Sequence, residues 1–197
     1  MRIIAGRFRG RRLVAAPGRT TRPMPDRVKQ AIFDILGARW AMPGELPPVA
    51  VLDVFAGTGP LGLEALSRGA TFCCFIEQDA QATRLLRSHL AELHIADAAA
   101  VVMTDAFSSL AVPRVPGGYA LVFVDPPYRT SRDSSAAGPV GTLLARFPTE
   151  AGLSPDAVVL LRHEQRCSYD AIPYGPLRAF DRREYGRMAV TFLASVT

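Results

Sequence analysis

The chain has 197 residues, 49% of them hydrophobic and 21% charged, with a formal net charge of +5. That length fits one domain with a small appendage and allows a sizeable core, while no apolar run approaches the ~20 residues that a bilayer span requires. The N-terminus carries arginines but no uninterrupted apolar stretch and no serine, which argues against a secretory signal or a transit peptide.

The charge is unevenly placed. Residues 1–29 hold nine Arg or Lys side chains against the single acid Asp26, a net +8, whereas the other 168 residues hold 14 basic and 17 acidic groups, a net −3. A basic arm on a nearly neutral body points to a polyanionic partner, with a solvated tail as the plainer alternative. Cys73, Cys74 and Cys167 make an odd number without metal-ligand spacing, which suits a reducing, cytoplasmic setting, and the histidines form no zinc pattern. His89 and His94 are read as surface or internally satisfied residues.

In chain order, Ile3, Ile4, Leu13 and Val14 flank Gly6-Arg7-Phe8-Arg9-Gly10 and predict a short β-hairpin. A Pro/Gly-rich link runs from Pro17 to Pro25. Asp26 then opens a helix in which Val28, Ile32, Ile35 and Leu36 recur at helical spacing, with Gly37 placed to end it. Residues 1–40 thus form an extension, and Met42–Pro48 separates it from a main domain expected over 49–197.

From there strand and helix signals alternate. Val49–Phe55 reads as a strand buried on both faces, and Pro60 and Gly69 bound a helix. The strand Ala70–Ile76, the helix Asp79–Leu93, and the strands Ala99–Met103 and Tyr119–Val124 follow. After a small, polar loop over 129–138, which is either a closing flap or an uninvolved connection, come a helix near Val140–Phe147 and the strand Ala157–Arg162. Arg178–Tyr185 and Met188–Ser195, around Gly186, predict an antiparallel pair at the sheet edge. Repeated β-α-β units predict an α/β fold with a mostly parallel sheet covered by helices on both faces.

Two motifs carry chemistry. Gly57-x-Gly59-x-x-Gly62 after a buried strand formally satisfies a dinucleotide fingerprint. Asp53, inside the strand, would oppose a pyrophosphate but suits the cationic methionine end of S-adenosylmethionine. Glu77, 20 residues beyond Gly57, can accept two ribose hydroxyls, and Asp105, just after the third strand, can take an adenine amine. The second motif, Asp125-Pro126-Pro127-Tyr128, directly follows an apolar strand. An exocyclic amine on a base is a weak nucleophile because its lone pair is delocalised into the ring. Asp125 and the Pro126 carbonyl can each accept one N–H and so aim that lone pair, while Pro126 and Pro127 stiffen the turn and Tyr128 offers a stacking face. Together the motifs point to methyl transfer from S-adenosylmethionine to an amino group. The plainer alternative is that these acids only cap the helices or turns that follow them.

The chain resembles the RsmD family of bacterial 16S rRNA guanine-N2 methyltransferases. The likeness is carried by Met1–Leu13, Arg22–Val28, Asp53–Gly69, Asp125–Tyr128 and Glu184–Arg187. It implies a Rossmann-like class I methyltransferase with a mostly parallel seven-stranded sheet and an antiparallel C-terminal edge. It further implies transfer to the N2 amine of one guanine in 16S rRNA of the assembling or assembled 30S subunit; separately, a monomer without metal is expected. The cofactor set expected is Asp53, Phe55, Gly57, Gly59, Glu77, Gln78, Asp105 and Ala106. Asp125, Pro126, Pro127 and Tyr128 would handle the guanine, and Arg7, Arg9, Arg11, Arg12, Arg22 and Arg27 the RNA. A DNA or protein amino-methyltransferase, an NAD-dependent oxidoreductase built on Gly57–Gly62, and an inactive RNA-binding protein remain as competing readings.

Overall fold

A computed structural model describes residues 1–15 and 24–195. Arg22 and residues 17–23 of the proline-rich link lie outside them. In chain order the elements are α1 (Asp26–Arg39), β1 (Ala50–Val54), α2 (Pro60–Ser67), β2 (Phe72–Ile76), α3 (Ala80–Glu92), β3 (Ala99–Val102), β4 (Tyr119–Val124), α4 (Pro139–Arg146), β5 (Leu153–Glu164), β6 (Leu177–Tyr185) and β7 (Met188–Ser195). The strands form one seven-stranded sheet in the order β3-β2-β1-β4-β5-β7-β6. The β1–β2, β2–β3 and β4–β5 pairs are parallel, and β7 runs antiparallel to both β5 and β6, as the sequence predicts for the C-terminal edge. The chain divides into two compact units, Met1–Met103 and Thr104–Thr197.

In the first unit, β1 and β2 are apolar on both faces: Val51, Leu52, Val54, Cys73, Cys74, Phe75 and Ile76 are fully buried. Pro60 occupies the first turn of α2, where a missing N–H costs nothing, and Gly69 follows its end with φ +126°. Asp79 caps α3 by accepting the Ala82 N–H at 2.7 Å. Gly37 does not end α1 as expected. It is buried inside the helix, which runs on to Arg39, and a Cβ there would lie 2.7 Å from the Met42 carbonyl oxygen. Gly37 is small because the chain folds back over it, and the Met42 N–H donates to its carbonyl at 2.8 Å.

The N-terminal hairpin is held by an Arg2–Arg12 bridge and by bonds from the Ile3 and Leu13 N–H groups to the Arg11 and Met1 carbonyls, both 2.9 Å. Its anchor is Glu64 on α2, whose side chain is fully buried. The carboxylate accepts the Ile4 and Ala5 N–H groups at 2.9 and 3.0 Å and pairs with Lys29 and Arg68, both at 2.8 Å. A buried carboxylate would be costly alone, but here four donors surround it. Ser67 adds a second lock, donating to the Ala5 carbonyl and accepting the Phe8 N–H, while its own carbonyl takes the Arg7 N–H at 2.8 Å. Gly6 approaches so closely that a Cβ would sit 1.9 Å from that carbonyl oxygen. Ile3 and Leu13 are buried beneath the hairpin, and Arg7, Arg9, Arg11 and Arg12 are left exposed.

In the second unit, β4 lies parallel to β5, with Val124 in register with Leu161. Tyr119, Leu121–Val124 and Ala157–Leu161 are fully buried. The 129–138 loop is tied down rather than loose. Tyr169 Oη donates to the Ser131 carbonyl at 3.0 Å and approaches that of Asp133 at 3.3 Å, and Tyr174 Oη donates to that of Ser134 at 2.6 Å. Burial pushes both phenol pKa values up, which keeps the hydroxyls as donors.

Candidate functional site

The turn between β1 and α2 has the backbone geometry that close approach to a ligand requires. Phe55, Gly57 and Gly59 have φ of +64°, +59° and +84°, and a non-glycine residue in that region stores strain of the kind found at ligand sites. Gly62 serves packing: a Cβ there would lie 2.3 Å from the Phe75 ring, so α2 can settle on β2 only without a side chain. Two carboxylates fix the turn. Asp53 Oδ2 accepts the Gly62 N–H at 2.9 Å, and Glu77 accepts the Gly57 N–H at 2.7 Å with one oxygen and the Asp79 N–H at 2.9 Å with the other.

His89 supports the turn from α3. Its Nε2 accepts the Val14 N–H at 3.0 Å, so the proton is on Nδ1, which donates to the Thr58 carbonyl at 3.1 Å. It is a satisfied buried histidine, one of the two readings the sequence left open. The Thr58 hydroxyl, buried within the same turn, has no hydrogen-bond partner among the described residues. A left-handed glycine turn, a carboxylate at each of two strand ends and an orphaned hydroxyl fit the polar amino-acid and ribose portions of S-adenosylmethionine.

The structure thus brings Asp53, Phe55, Gly57, Gly59 and Glu77 together at one end of the first unit, and Gln78 follows them, exposed. Asp105 and Ala106 belong to the second unit. Asp105 folds its own turn, accepting the Phe107 N–H at 3.0 Å and the Ser108 hydroxyl at 3.3 Å, and Ala106 is buried.

Asp125–Tyr128 follows β4 directly. The Pro127 carbonyl takes both the Thr130 N–H and its hydroxyl, at 2.9 and 2.7 Å, and the Tyr128 carbonyl takes the Ser131 N–H and hydroxyl, both at 3.2 Å. The Pro126 carbonyl receives no donor among the described residues. The Pro127 and Tyr128 carbonyls are thereby committed to holding the turn, and the preceding one, expected to meet a substrate amine, is not.

Sequence reasoning missed Arg162. It ends the apolar run Val158–Leu161 on β5, is 4% exposed, and its Nε lies 2.6 Å from Asp125 Oδ1. The pair is an ion contact without aligned hydrogen-bond geometry. The Arg162 guanidinium carbon is also 5.7 Å from the Tyr128 ring centroid, within cation–π range. The signal was a lone arginine directly after the buried apolar run Ala157–Leu161. Of the arginines proposed for RNA contact, Arg7, Arg9, Arg11, Arg12 and Arg27 are all exposed. Among the described residues no group of three or more His, Cys, Asp or Glu side chains could hold a metal, and no helix is long and apolar enough to cross a membrane.

Comparison with known proteins places this geometry in context. A family described as "Conserved hypothetical protein 95" matches residues 1–194. YlbH of Bacillus subtilis (strain 168), provisionally named an rRNA methyltransferase, is 34% identical over 84% of this chain and 83% of its own length. Ribosomal RNA small subunit methyltransferase D of Escherichia coli (strain K12) is 42% identical over 66% of this chain and 61% of its own. A solved structure of yhhF from Escherichia coli, provisionally described as a methyltransferase, superimposes with a TM-score of 0.79 at 31% identity, covering 99% of this chain and 97% of that one.

Proposed function

We propose, on the premise that this chain belongs to the RsmD-like methyltransferase family, that it is an rRNA methyltransferase that uses S-adenosylmethionine. More narrowly, it methylates the exocyclic N2 amine of a specific guanine in 16S rRNA of the small ribosomal subunit. The Escherichia coli relative, named for the small-subunit RNA, supports that narrower reading. Residues 1–40 act as an RNA-binding extension of the 49–197 methyltransferase domain, and the protein works as a cytoplasmic monomer without metal.

The observation that carries this reading is the polar environment of Asp125–Tyr128. The Asp125 carboxylate and the Pro126 carbonyl, which receives no donor among the described residues, belong to adjacent residues of a stiff diproline turn, beside an aromatic ring. Asp125 accepts one N–H of the guanine amine and the Pro126 carbonyl accepts the other, so the nitrogen lone pair is directed out of the ring plane. Tyr128 stacks on the base, an interaction worth roughly 1–3 kcal/mol in comparable sites. Bound S-adenosylmethionine supplies an electrophilic methyl group: the N–C bond forms from the amine lone pair as the C–S bond breaks, leaving a neutral thioether. The methylated nitrogen then gives up a proton to water, so no strong base is needed beforehand. Asp53 balances the positive charge of the donor, Glu77 receives its ribose hydroxyls and Asp105 its adenine amine.

Asp125→Ala tests the assignment. Methyl transfer to RNA should be abolished while donor affinity, read by calorimetry, stays within a few-fold of wild type. Loss of both together would contradict the role given to Asp125.

A further inference from the structure

We propose that Arg162 is a positioning residue of the transfer site, setting the Asp125 carboxylate and the Tyr128 ring in fixed relation to each other. This rests on the methyl-transfer reading above and assigns a residue to it.

The placement follows from strand register. β4 and β5 are parallel and Val124 pairs with Leu161, so the next residues, Asp125 and Arg162, lie side by side where β4 ends and β5 runs on to Glu164. Val158, Val159, Leu160 and Leu161 are fully buried, so β5 delivers the guanidinium into a site where water cannot solvate it. A cation buried to that extent is tolerated only with a partner, and its partner is the carboxylate 2.6 Å away. The nearby acid Glu164 is engaged by Arg132 at 3.4 Å and by Arg166 at 2.5 Å, so it does not compete. On the other side, β7 presents the apolar Val190 in register with Arg162.

The chemistry explains why a guanidinium belongs there. Asp125 must accept an N–H without taking the proton, and a fixed cation beside it favours the ionised acceptor. Arginine holds its charge at every working pH, and its planar group can meet a carboxylate edge-on while facing an aromatic ring. Arg162 does both, with Tyr128 at 5.7 Å. It touches neither donor nor base in this scheme and acts through the two residues that do.

The test is single-turnover methyl transfer to 16S rRNA in 30S subunits as a function of pH, at saturating donor, for wild type, Arg162→Gln, Arg162→Lys, Asp125→Asn and the Arg162→Gln/Asp125→Asn double variant. Arg162→Gln should leave donor affinity within about two-fold and lower the transfer rate by about 10- to 100-fold, the loss expected for a misplaced reacting group. Its acid limb should move to higher pH, because the carboxylate loses its cation. Arg162→Lys should recover part of the rate and most of the pH profile. In the Asp125→Asn background, removing Arg162 should cost little more, since the two act as one unit. A wild-type rate and profile in Arg162→Gln would overturn the assignment. So would a slower enzyme with an unshifted profile and no recovery by lysine, which would mark a purely structural residue. Should Arg162→Gln fail to fold, an unshifted profile in Arg162→Lys together with a rate loss beyond 100-fold would overturn it equally. Wild-type protein that transfers no methyl group would instead remove the reaction itself, and the proposal with it.

Discussion

Glu77 accepts the Gly57 N–H at 2.7 Å across 20 residues of sequence, joining the end of β2 to the glycine turn after β1. One carboxylate thus shapes the turn and, in the proposed function, receives the donor ribose. Glu77→Ala should therefore weaken S-adenosylmethionine binding by more than about ten-fold and lower thermal stability as well. The orphaned Gly57 N–H alone should cost about 1–3 kcal/mol. Calorimetry and thermal unfolding on the same sample check both, and unchanged donor affinity would separate Glu77 from the ligand.

Glu64 makes a sharper stability prediction. Removing its carboxylate leaves Lys29 and Arg68 buried without their shared partner and releases the Ile4 and Ala5 N–H groups. Glu64→Ala should cost about 3–5 kcal/mol in urea unfolding. The hairpin should also become cleavable by trypsin at Arg7 to Arg12 before the remainder of the chain. Equal protease resistance in the variant would mean that the hairpin docks by other contacts.

The exposed hairpin arginines make a prediction about salt. The double variant Arg9→Glu, Arg11→Glu should bind 16S rRNA more weakly, and the slope of log affinity against log salt should flatten by about 0.7–0.9 for each lost phosphate contact. An unaltered slope, measured by filter binding over a salt series, would confine those side chains to a structural role.

His163 gives a pH dependence with a definite sign. Its Nδ1 faces the Glu164 carbonyl at 2.9 Å, which can only accept, so Nδ1 is protonated and Nε2 takes the Thr191 hydroxyl at 2.9 Å. Burial lowers its pKa below the ordinary 6.5; the Glu164 carbonyl opposes that shift, Arg182 adds to it, and Asp170 opposes it. The unfolded chain therefore takes up this proton at a higher pH than the folded protein does. Stability should be fully present above about 6.5 and decline as pH falls from there toward the lower folded value. Urea unfolding at a series of pH values should show this slope in wild type and a flatter one in His163→Asn; identical slopes would place the titration elsewhere.

What the sequence discloses and what it hides divide along physical lines. β4 and β7 begin and end where alternating turn and apolar signals put them, and the helix read from Asp79 starts there, with Asp79 as its cap. Those features are local: an apolar run, a capping oxygen, a proline at a first turn. Gly37 was misread because a glycine required for close approach looks, in sequence, like a glycine required for a left-handed stop. The Arg162–Asp125 pair was not legible because it depends on the register of β4 against β5, which no local pattern encodes. The Glu64 cluster was not legible either, because its partners lie up to 60 residues away. Tyr169 and Tyr174 likewise pin a loop that sequence left open between flap and connection, through contacts 36 to 40 residues apart.

The most direct measurement is the identity of the methylated nucleoside. 30S subunits from cells lacking this protein would be incubated with it and methyl-labelled S-adenosylmethionine, the 16S rRNA digested to nucleosides, and the label located by mass spectrometry. The proposed reaction yields N2-methylguanosine at a single position, and none with Asp125→Ala. Label on another base or on ribose, or no label in 16S rRNA with folded wild-type protein, would contradict it.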